Sequence, residues 1–344
     1  MASRLEAARS RLLPGVEAGL QAILERRPVA PTHYGMMRYH LGWVDERLSP
    51  IAAPSGKRLR PLICLLAAEA CHAPQRRAVP AAVALELLHN FTLIHDDIED
   101  GDELRHHRPT VWKLWGEPQA INAGDGMHVL AYLALLDLAD HDVPPERITR
   151  LTARLAETSL VITEGQHLDI SFEKRTDVRP AEYLDMIGRK SAALIGCAAV
   201  MGAEVAGASV ETCNALERFG IELGLGFQIR DDVLGIWGAT ETTGKPAGDL
   251  RRRKKTLPTL YAMSRCSDDE RDVFACLFEG DEPVDSETVR DALGVLERYH
   301  AREHCETMVG RYSTAAREQL LLLPPTEARL ALEELVAQLE TREF

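Results

Sequence analysis

The sequence is poor in most of the features that would mark a secreted, membrane-bound or nucleic-acid-binding protein. Its seven cysteines, Cys64, Cys71, Cys197, Cys213, Cys266, Cys276 and Cys305, are odd in number, sit among apolar neighbours and include no C-x-x-C pair. They read as reduced core residues of a cytosolic protein. No stretch approaches the roughly 18 uncharged apolar residues of a membrane span, and the N-terminal segment is a charged amphipathic helix without an apolar h-region. The expectation is a soluble, cytoplasmic protein. A basic stripe is missing too: with a net charge of -13, nucleic acid is excluded as a partner, and any anionic ligand must be met locally. Aromatics make up only 5% of residues, and no alternating strand pattern persists. Neither a Gly/Ser-rich linker nor a repeat of fixed period divides the chain, which argues for a single domain over residues 1–344.

What is present is an apolar content of 45% against 27% charged residues, enough for a substantial core. Apolar residues recur at spacings of three and four nearly everywhere, the helical period. The pattern predicts helices over 2–26, 33–49, 57–71, 79–100, 117–139, 145–174, 180–204, 208–237 and 256–264, with more towards the C-terminus. Pro28, Pro31, Pro74, Pro144, Pro180, Pro246 and Pro283 fall between these segments or at their starts. Several segments reach about 25 to 30 residues without the sustained heptads of a coiled coil. The architecture they imply is all-α, a bundle of long antiparallel helices around a central cavity.

Chemistry concentrates in three stretches. Six carboxylates fall between Asp96 and Glu103, directly after an apolar helical run. On a helix, Asp96 and Asp100 share a face with Cβ atoms about 5 to 6 Å apart, a spacing that suits Mg2+, which takes one or two carboxylates and completes its octahedron with water and phosphate. The plain alternative is a helix end whose charges face water, although carboxylates there repel one another and oppose the helix dipole. The second stretch, Gly226 to Gly235, carries Asp231 and Asp232 near the end of another apolar helix; Gly244-Lys245-Pro246 and the five cations Arg251 to Lys255 follow. Alone, such a basic run is a solvated loop; beside carboxylates and metal it becomes a clamp for pyrophosphate. The third, Ser55-Gly56-Lys57-Arg58-Leu59-Arg60-Pro61, places three cations in the first turn of a helix, where they oppose the dipole unless an anion is bound. Gln166, Asp169, Lys190 and His89 are isolated polar residues within apolar helices, read either as lining a cavity or as satisfied buried groups.

In order and wording these motifs resemble the trans-isoprenyl diphosphate synthases, the polyprenyl synthetase family. Gly-Lys-Arg-Leu-Arg-Pro, His-Asn-Phe-Thr-Leu-Ile-His-Asp-Asp-Ile-Glu-Asp, Arg-Pro-Thr, Gly-Gln-His-Leu-Asp, Lys-Ser-Ala, Phe-Gln-Ile-Arg-Asp-Asp, Gly-Lys-Pro and Lys-Lys-Thr-Leu-Pro follow one another over residues 56–258. The resemblance implies the isoprenoid synthase fold, usually a homodimer, joining an allylic diphosphate to isopentenyl diphosphate. It implies about three Mg2+ ions acting as Lewis acids on the leaving pyrophosphate. The allylic cation is then attacked by the double bond of isopentenyl diphosphate, and a proton is lost.

Carried over by position, Asp96 and Asp100 would bind two ions and Asp231 the third, with Asp97, Asp169, Asp232 and Asp249 holding metal, its waters or neighbouring cations. Arg105, Lys190, Ser191, Gln228, Lys245 and Lys254 match contacts to the allylic diphosphate. Lys57, Arg60 and His89 match contacts to isopentenyl diphosphate. Three departures stand out. His106 replaces the second of two arginines, so either the isopentenyl diphosphate site is weaker or Arg108 substitutes; a neutral imidazole cannot form the bidentate fork of arginine. Gly235 stands where the second motif usually ends in a third aspartate, and the Gly-Lys-Pro segment is one residue short.

Two alternatives use the same fold. A class I terpene cyclase would carry an Asn/Asp, Ser/Thr, Glu triad at four-residue intervals, but counting on from Asp231 or Asp232 gives Gly235 or Ile236. A non-catalytic partner subunit commonly lacks aspartates that are present here. Within the family, residues just before the first motif form part of the cavity floor. Phe91, five positions before Asp96, and Leu88, one turn deeper, would stop chain growth at C15 to C20, farnesyl or geranylgeranyl diphosphate.

Overall fold

Alanine and leucine are good helix formers and lose little side-chain freedom in a helix, and the chain follows that preference almost throughout. The computed structural model describes residues 3–27, 29–51, 56–238, 247–280 and 283–341. Its helices begin with α1 (Arg4–Glu25), α2 (Pro31–His40), α3 (Leu59–Ala70), α4 (Gln75–Glu99), α5 (Val111–Trp115) and α6 (Glu117–Leu136). They continue with α7 (Pro145–Glu173), α8 (Pro180–Ile187), α9 (Ala193–Ala206) and α10 (Val210–Trp237), and with further helices up to Glu327–Thr341. Among the described residues the only strands form one two-residue hairpin, Leu104–Arg105 against Arg108–Pro109. The fold is all-α, as the helical period requires.

Three segments depart from the sequence pattern. The segment 33–49 is not one helix: α2 ends at His40, and the chain then turns so that Val44 bridges Pro50. Asp45 drives this turn, its Oδ1 accepting from the backbone N–H groups of Arg47 at 2.9 Å and Ser49 at 2.8 Å; aspartate competes with helix in this way. The segment 180–204 is interrupted by a π-turn over Gly188–Ala192. The third departure is at the start of α3, where Arg58 adopts a left-handed backbone (φ 48°) ahead of the first helical residue. Lys57 and Arg58 therefore lie before the helix, and Arg60 alone occupies its first turn.

By contact the chain divides into two compact units. One comprises Met1–Ser159, Cys197–Leu216 and Leu323–Leu332; the other comprises Leu160–Gly196, Glu217–Leu322 and Glu333–Phe344. In the first, α4 packs against α6, α3 and α1. Its Ala81, Ala82, Leu85, Leu87 and Leu88 have no exposed surface, so apolar contact covers more than one face of the helix. Each fully buried leucine contributes about 1.5 to 3 kcal/mol relative to an exposed one. In the second, Phe274, Leu277, Ala292, Leu296 and Ala301 form a core that Ile236 joins from α10. Two segments, Gln75–Glu99 and Pro180–Ala206, are long and apolar enough to cross a bilayer by length and composition alone. In both, 72% of the apolar window is buried within the protein, which is the requirement of a core helix.

Candidate functional site

The first acidic motif lies where α4 runs out. Asp100 caps the helix and its N–H donates to the Asp96 carbonyl at 2.8 Å, so the two carboxylates stand one turn apart on one face. Asp96 is half-buried and Asp100 exposed. Asp97 is 1% exposed, and its Oδ1 accepts from Arg105 Nε at 2.8 Å and Nη2 at 2.7 Å. Its Oδ2 is buried without a hydrogen-bond partner among the described residues. Burial pushes the Asp97 carboxyl above its ordinary value, and the Arg105 pairing only partly opposes this.

Arg105 is delivered by the two-residue hairpin, in which Arg105 faces Arg108. His106 and His107 make the turn with φ of 50° and 62°, the left-handed pair that a tight hairpin of this hand demands. His106 thus serves the turn. Arg108 is committed elsewhere: it donates to the carbonyls of Tyr39 at 3.1 Å and Val44 at 2.7 Å and lies 4.0 Å over the Tyr39 ring.

Of the cations around α3, Arg58 is structural. At 5% exposure it is paired at 2.7 Å with both Glu17 and Glu86. Arg60 differs: its Nε is buried without a hydrogen-bond partner among the described residues, and burial lowers its guanidinium to about 10. Lys57 is exposed. His89 falls well below its ordinary value through burial and the nearby Arg60 and Arg105. Nothing local in the sequence singles out His40, at the end of α2. Burial, with Arg105, Arg58, His106 and Arg108, brings it to about 3.

A pH dependence follows. Between pH 3 and the unfolded value of 6.5 the unfolded chain binds more protons at His40 than the folded one, so this residue's contribution to stability rises with pH through that window. Urea unfolding at pH 5 and pH 7 should show a gap, on the order of a few kcal/mol at most, that shrinks in His40→Gln. An equal gap in both proteins would contradict it.

The second unit carries the other motif. Asp231 is half-buried on α10. Asp232 is 3% exposed and its oxygens are occupied by protein donors: Tyr183 Oη at 2.7 Å, the Leu257 N–H at 3.3 Å and Gln228 Nε2 at 3.4 Å. Burial raises the Asp232 carboxyl to about 7, these donors notwithstanding. Ser191 Oγ donates to Gln228 Oε1 at 3.0 Å, and Lys190 Nζ to Asp169 Oδ2 at 2.6 Å. Lys190 and Ser191 sit on the π-turn, a local form frequent at functional sites. Gly165 makes room for it, because a Cβ there would collide with the Lys190 backbone nitrogen. Lys255 donates to the carbonyls of Phe172, Glu173 and Arg175 at 2.7 to 2.9 Å, capping the end of α7, which carries Asp169. Lys254 is exposed. Lys245 lies outside the described residues. Tyr183 carries no distinctive signal in the sequence, being a tyrosine in an apolar helix, and Lys255, which the sequence shows only as one of five cations in a basic run, is committed to the end of α7.

The donors present suit a hard cation. Among the described residues no three His, Cys, Asp or Glu side chains gather into a metal cage. Carboxylate oxygens in ones and twos are what Mg2+ takes when phosphate supplies the rest. Two cavities in the second unit, about 650 and 980 Å3, are lined by residues such as Arg230, Leu234, Glu306 and Tyr312. At 100° per residue, Arg230 and Leu234 share a face of α10 that Asp231 and Gly235 do not.

The chain belongs to the polyprenyl synthetase family, whose model, described as "Polyprenyl synthetase", matches residues 42–296. Among its relatives, (2E,6E)-farnesyl diphosphate synthase of Mycobacterium bovis is 46% identical over 230 residues, 67% of this chain and 63% of that protein. The match thus spans less than two thirds of that relative's length. Geranylgeranyl diphosphate synthase of Mycobacterium tuberculosis is 43% identical over 77% of this chain and 73% of its own. The crystal structure of polyprenyl synthetase from Streptomyces coelicolor A3(2) superposes with a TM-score of 0.89 at 36% identity, covering 97% of this chain and 99% of that one. The fold is that of the all-α isoprenoid synthases.

Proposed function

We propose that this chain is a short-chain trans-prenyltransferase, a single functional domain over residues 1–344 that joins an allylic diphosphate to isopentenyl diphosphate and yields farnesyl or geranylgeranyl diphosphate. The observation that carries the reading lies in the first unit. The Asp96/Asp100 pair is followed directly by Arg105, and Arg60, His89 and His40 lie near enough to Arg105 or to one another to suppress each histidine's protonation. Arg60 and Arg105, held close to two neutral imidazoles, gain most from a bound polyanion.

Family membership implies a divalent metal, and the proposal is Mg2+, about three ions per site, held by Asp96 and Asp100 at one motif and Asp231 at the other. When bound, the metal stabilises the negative charge that develops on the leaving pyrophosphate. Arg105, Lys190, Ser191, Gln228, Lys245 and Lys254 orient the allylic diphosphate; Lys57, Arg60 and His89 hold isopentenyl diphosphate. Asp97 keeps Arg105 aimed, and Asp169 does the same for Lys190. The cytoplasm is the proposed location and a second copy of the chain the proposed partner. In support of the latter, Ile121, Val129, Leu133 and Leu136 form a stripe on α6 with exposures of 44%, 58%, 36% and 54%, a pattern typical of interaction surfaces.

Incubation with Mg2+ and labelled isopentenyl diphosphate, with dimethylallyl, geranyl or farnesyl diphosphate in separate tubes, tests the reaction. Elongated diphosphates are expected; hydrocarbon released without isopentenyl diphosphate would instead indicate a cyclase. Product length tests the floor residues. Phe91 is 8% exposed and Leu88 fully buried; the Phe91 ring stacks on His128 at 4.6 Å and meets His95 edge-on at 4.8 Å. Two imidazoles thus fix its position. Phe91→Ala should shift the dephosphorylated products to longer chains by chromatography, and an unchanged distribution would remove Phe91 from chain-length control.

A further inference from the structure

Arg105 reaches the first acidic motif from a hairpin too short to hold its own shape. Each strand has two residues, and the turn puts His106 and His107 into the left-handed region. An isolated hairpin is marginal at best in water, and residues with side chains persist in that conformation only where their surroundings impose it. Arg105 and Arg108 are also directly opposed, and like charges across a strand pair destabilise it. The hairpin is therefore held from outside, with its two arginines drawn in different directions. Arg105 goes to Asp97 on α4. Arg108 goes to the end of α2.

The attachment to α2 is reciprocal. The Arg108 guanidinium donates to the Tyr39 carbonyl and to the Val44 carbonyl, and it lies over the Tyr39 ring. In return, the Tyr39 hydroxyl donates to the Pro109 carbonyl at 2.8 Å. A hairpin side chain thus holds the helix end, and a side chain of the helix end holds the hairpin backbone. Tyr39 is itself fixed, being 2% exposed and meeting the Trp115 ring edge-on at 5.1 Å. Its carbonyl belongs to the last turn of α2, where carbonyls have no partner within the helix and a cation is favoured. Arginine suits this place because its planar fork can reach two carbonyls while stacking on a ring, whereas lysine offers a point charge.

The geometry points to Arg108, latched to Tyr39, as a positioning residue for Arg105: it meets no diphosphate itself but fixes the hairpin from which Arg105 does. The arginine missing at 106 is then offset by restraint, because a rigid hairpin leaves Arg105 less freedom to lose on binding. Asp97 fixes the head of Arg105, and the latch fixes its backbone. The inference rests on the reading given above, in which Arg105 meets a substrate diphosphate.

The test is a double-mutant cycle read by calorimetric titration of inorganic pyrophosphate into the full chain at saturating Mg2+, with thermal unfolding of each variant recorded without ligand. Arg108→Lys keeps the charge and loses the fork; it should weaken pyrophosphate binding on the order of 10-fold, within the coupling found between residues of one network. Tyr39→Phe keeps the ring and loses the bond to Pro109, and a loss of about 3-fold is expected. In an Arg105→Gln background, itself weaker in binding, neither change should cost more than about a further 2-fold, because the residue through which they act is gone. A general loosening of the protein would instead lower affinity by the same factor in both backgrounds. Equal losses in the two backgrounds, or an Arg108→Lys variant that binds as the wild type does, would overturn the latch while leaving the proposed function standing. An Arg105→Gln variant that binds pyrophosphate as tightly as the wild type, or a wild type that does not bind it, would overturn the assignment of Arg105 to the diphosphate and the latch with it.

Discussion

Glu86→Ala is expected to destabilise the protein by about 3 to 5 kcal/mol, although Glu86 is not assigned to the reaction. Its carboxylate is 3% exposed and accepts from Arg58 Nη1 at 2.7 Å and from Asn90 Nδ2 at 2.9 Å. Removing it leaves a 5% exposed guanidinium with Glu17 as its remaining acidic partner at 2.7 Å. Burial acts to lower the Arg58 value, and Glu86 with Glu17 more than offsets this to hold it above the ordinary arginine range. The pair is thus a desolvated ion pair whose halves depend on each other. Arg58→Met combined with Glu86→Leu should therefore recover most of the loss, because apolar replacement of both partners removes the unpaired charge. Urea denaturation with matched m-values reads both variants. A loss below about 1 kcal/mol in Glu86→Ala would mean that the pair behaves as a solvated surface bridge. The consequence for the site is positional. Arg58 anchors the left-handed turn between Lys57 and Arg60, so loosening it should also weaken binding of isopentenyl diphosphate.

This ion pair shows where sequence reasoning reached its limit. The helical period located most helices, since burial of an apolar face repeats with the turn of the helix and leaves a trace in any amphipathic segment. The acidic motifs were legible for a similar reason: clustered carboxylates are costly, and their local spacing on a helix follows from geometry alone. Arg58 looked like one of three equivalent cations because nothing local distinguishes it from Lys57 or Arg60. Its acidic partners lie 41 and 28 residues away, and only the fold selects them. The π-turn at Gly188–Ala192 was equally invisible, since it depends on a close approach at Gly165. His40 gains its environment from Arg58, just ahead of α3, and from the hairpin. Gly235 could be seen in the sequence as a missing aspartate, but not as the space that Asp249 fills.

Asp96→Asn and Asp97→Asn should separate the two roles that adjacent aspartates play. Asp96 stands half-buried beside Asp100 on the same helical face, and its substitution should lower kcat by about 100- to 1,000-fold, the scale found when a group that stabilises developing charge is removed. It should also raise the Mg2+ concentration needed for half-maximal rate. Asp97 faces inward and accepts both donors of Arg105 on a single oxygen. Asparagine at that position can still accept from the charged Arg105, but it forfeits the ion pair in which donor and acceptor are both charged. Since burial already disfavours the Asp97 carboxylate, the neutral amide is tolerated better there than an unpaired charge. The expected result for Asp97→Asn is a rise on the order of 10-fold in KM for the allylic diphosphate, the equivalent of about 1.4 kcal/mol, with little change in the Mg2+ requirement. Steady-state kinetics over a matrix of Mg2+ and allylic diphosphate concentrations distinguishes these patterns. If Asp97→Asn shifts the Mg2+ dependence as far as Asp96→Asn does, Asp97 must reach the metal itself, and its pairing with Arg105 would describe only the ligand-free protein.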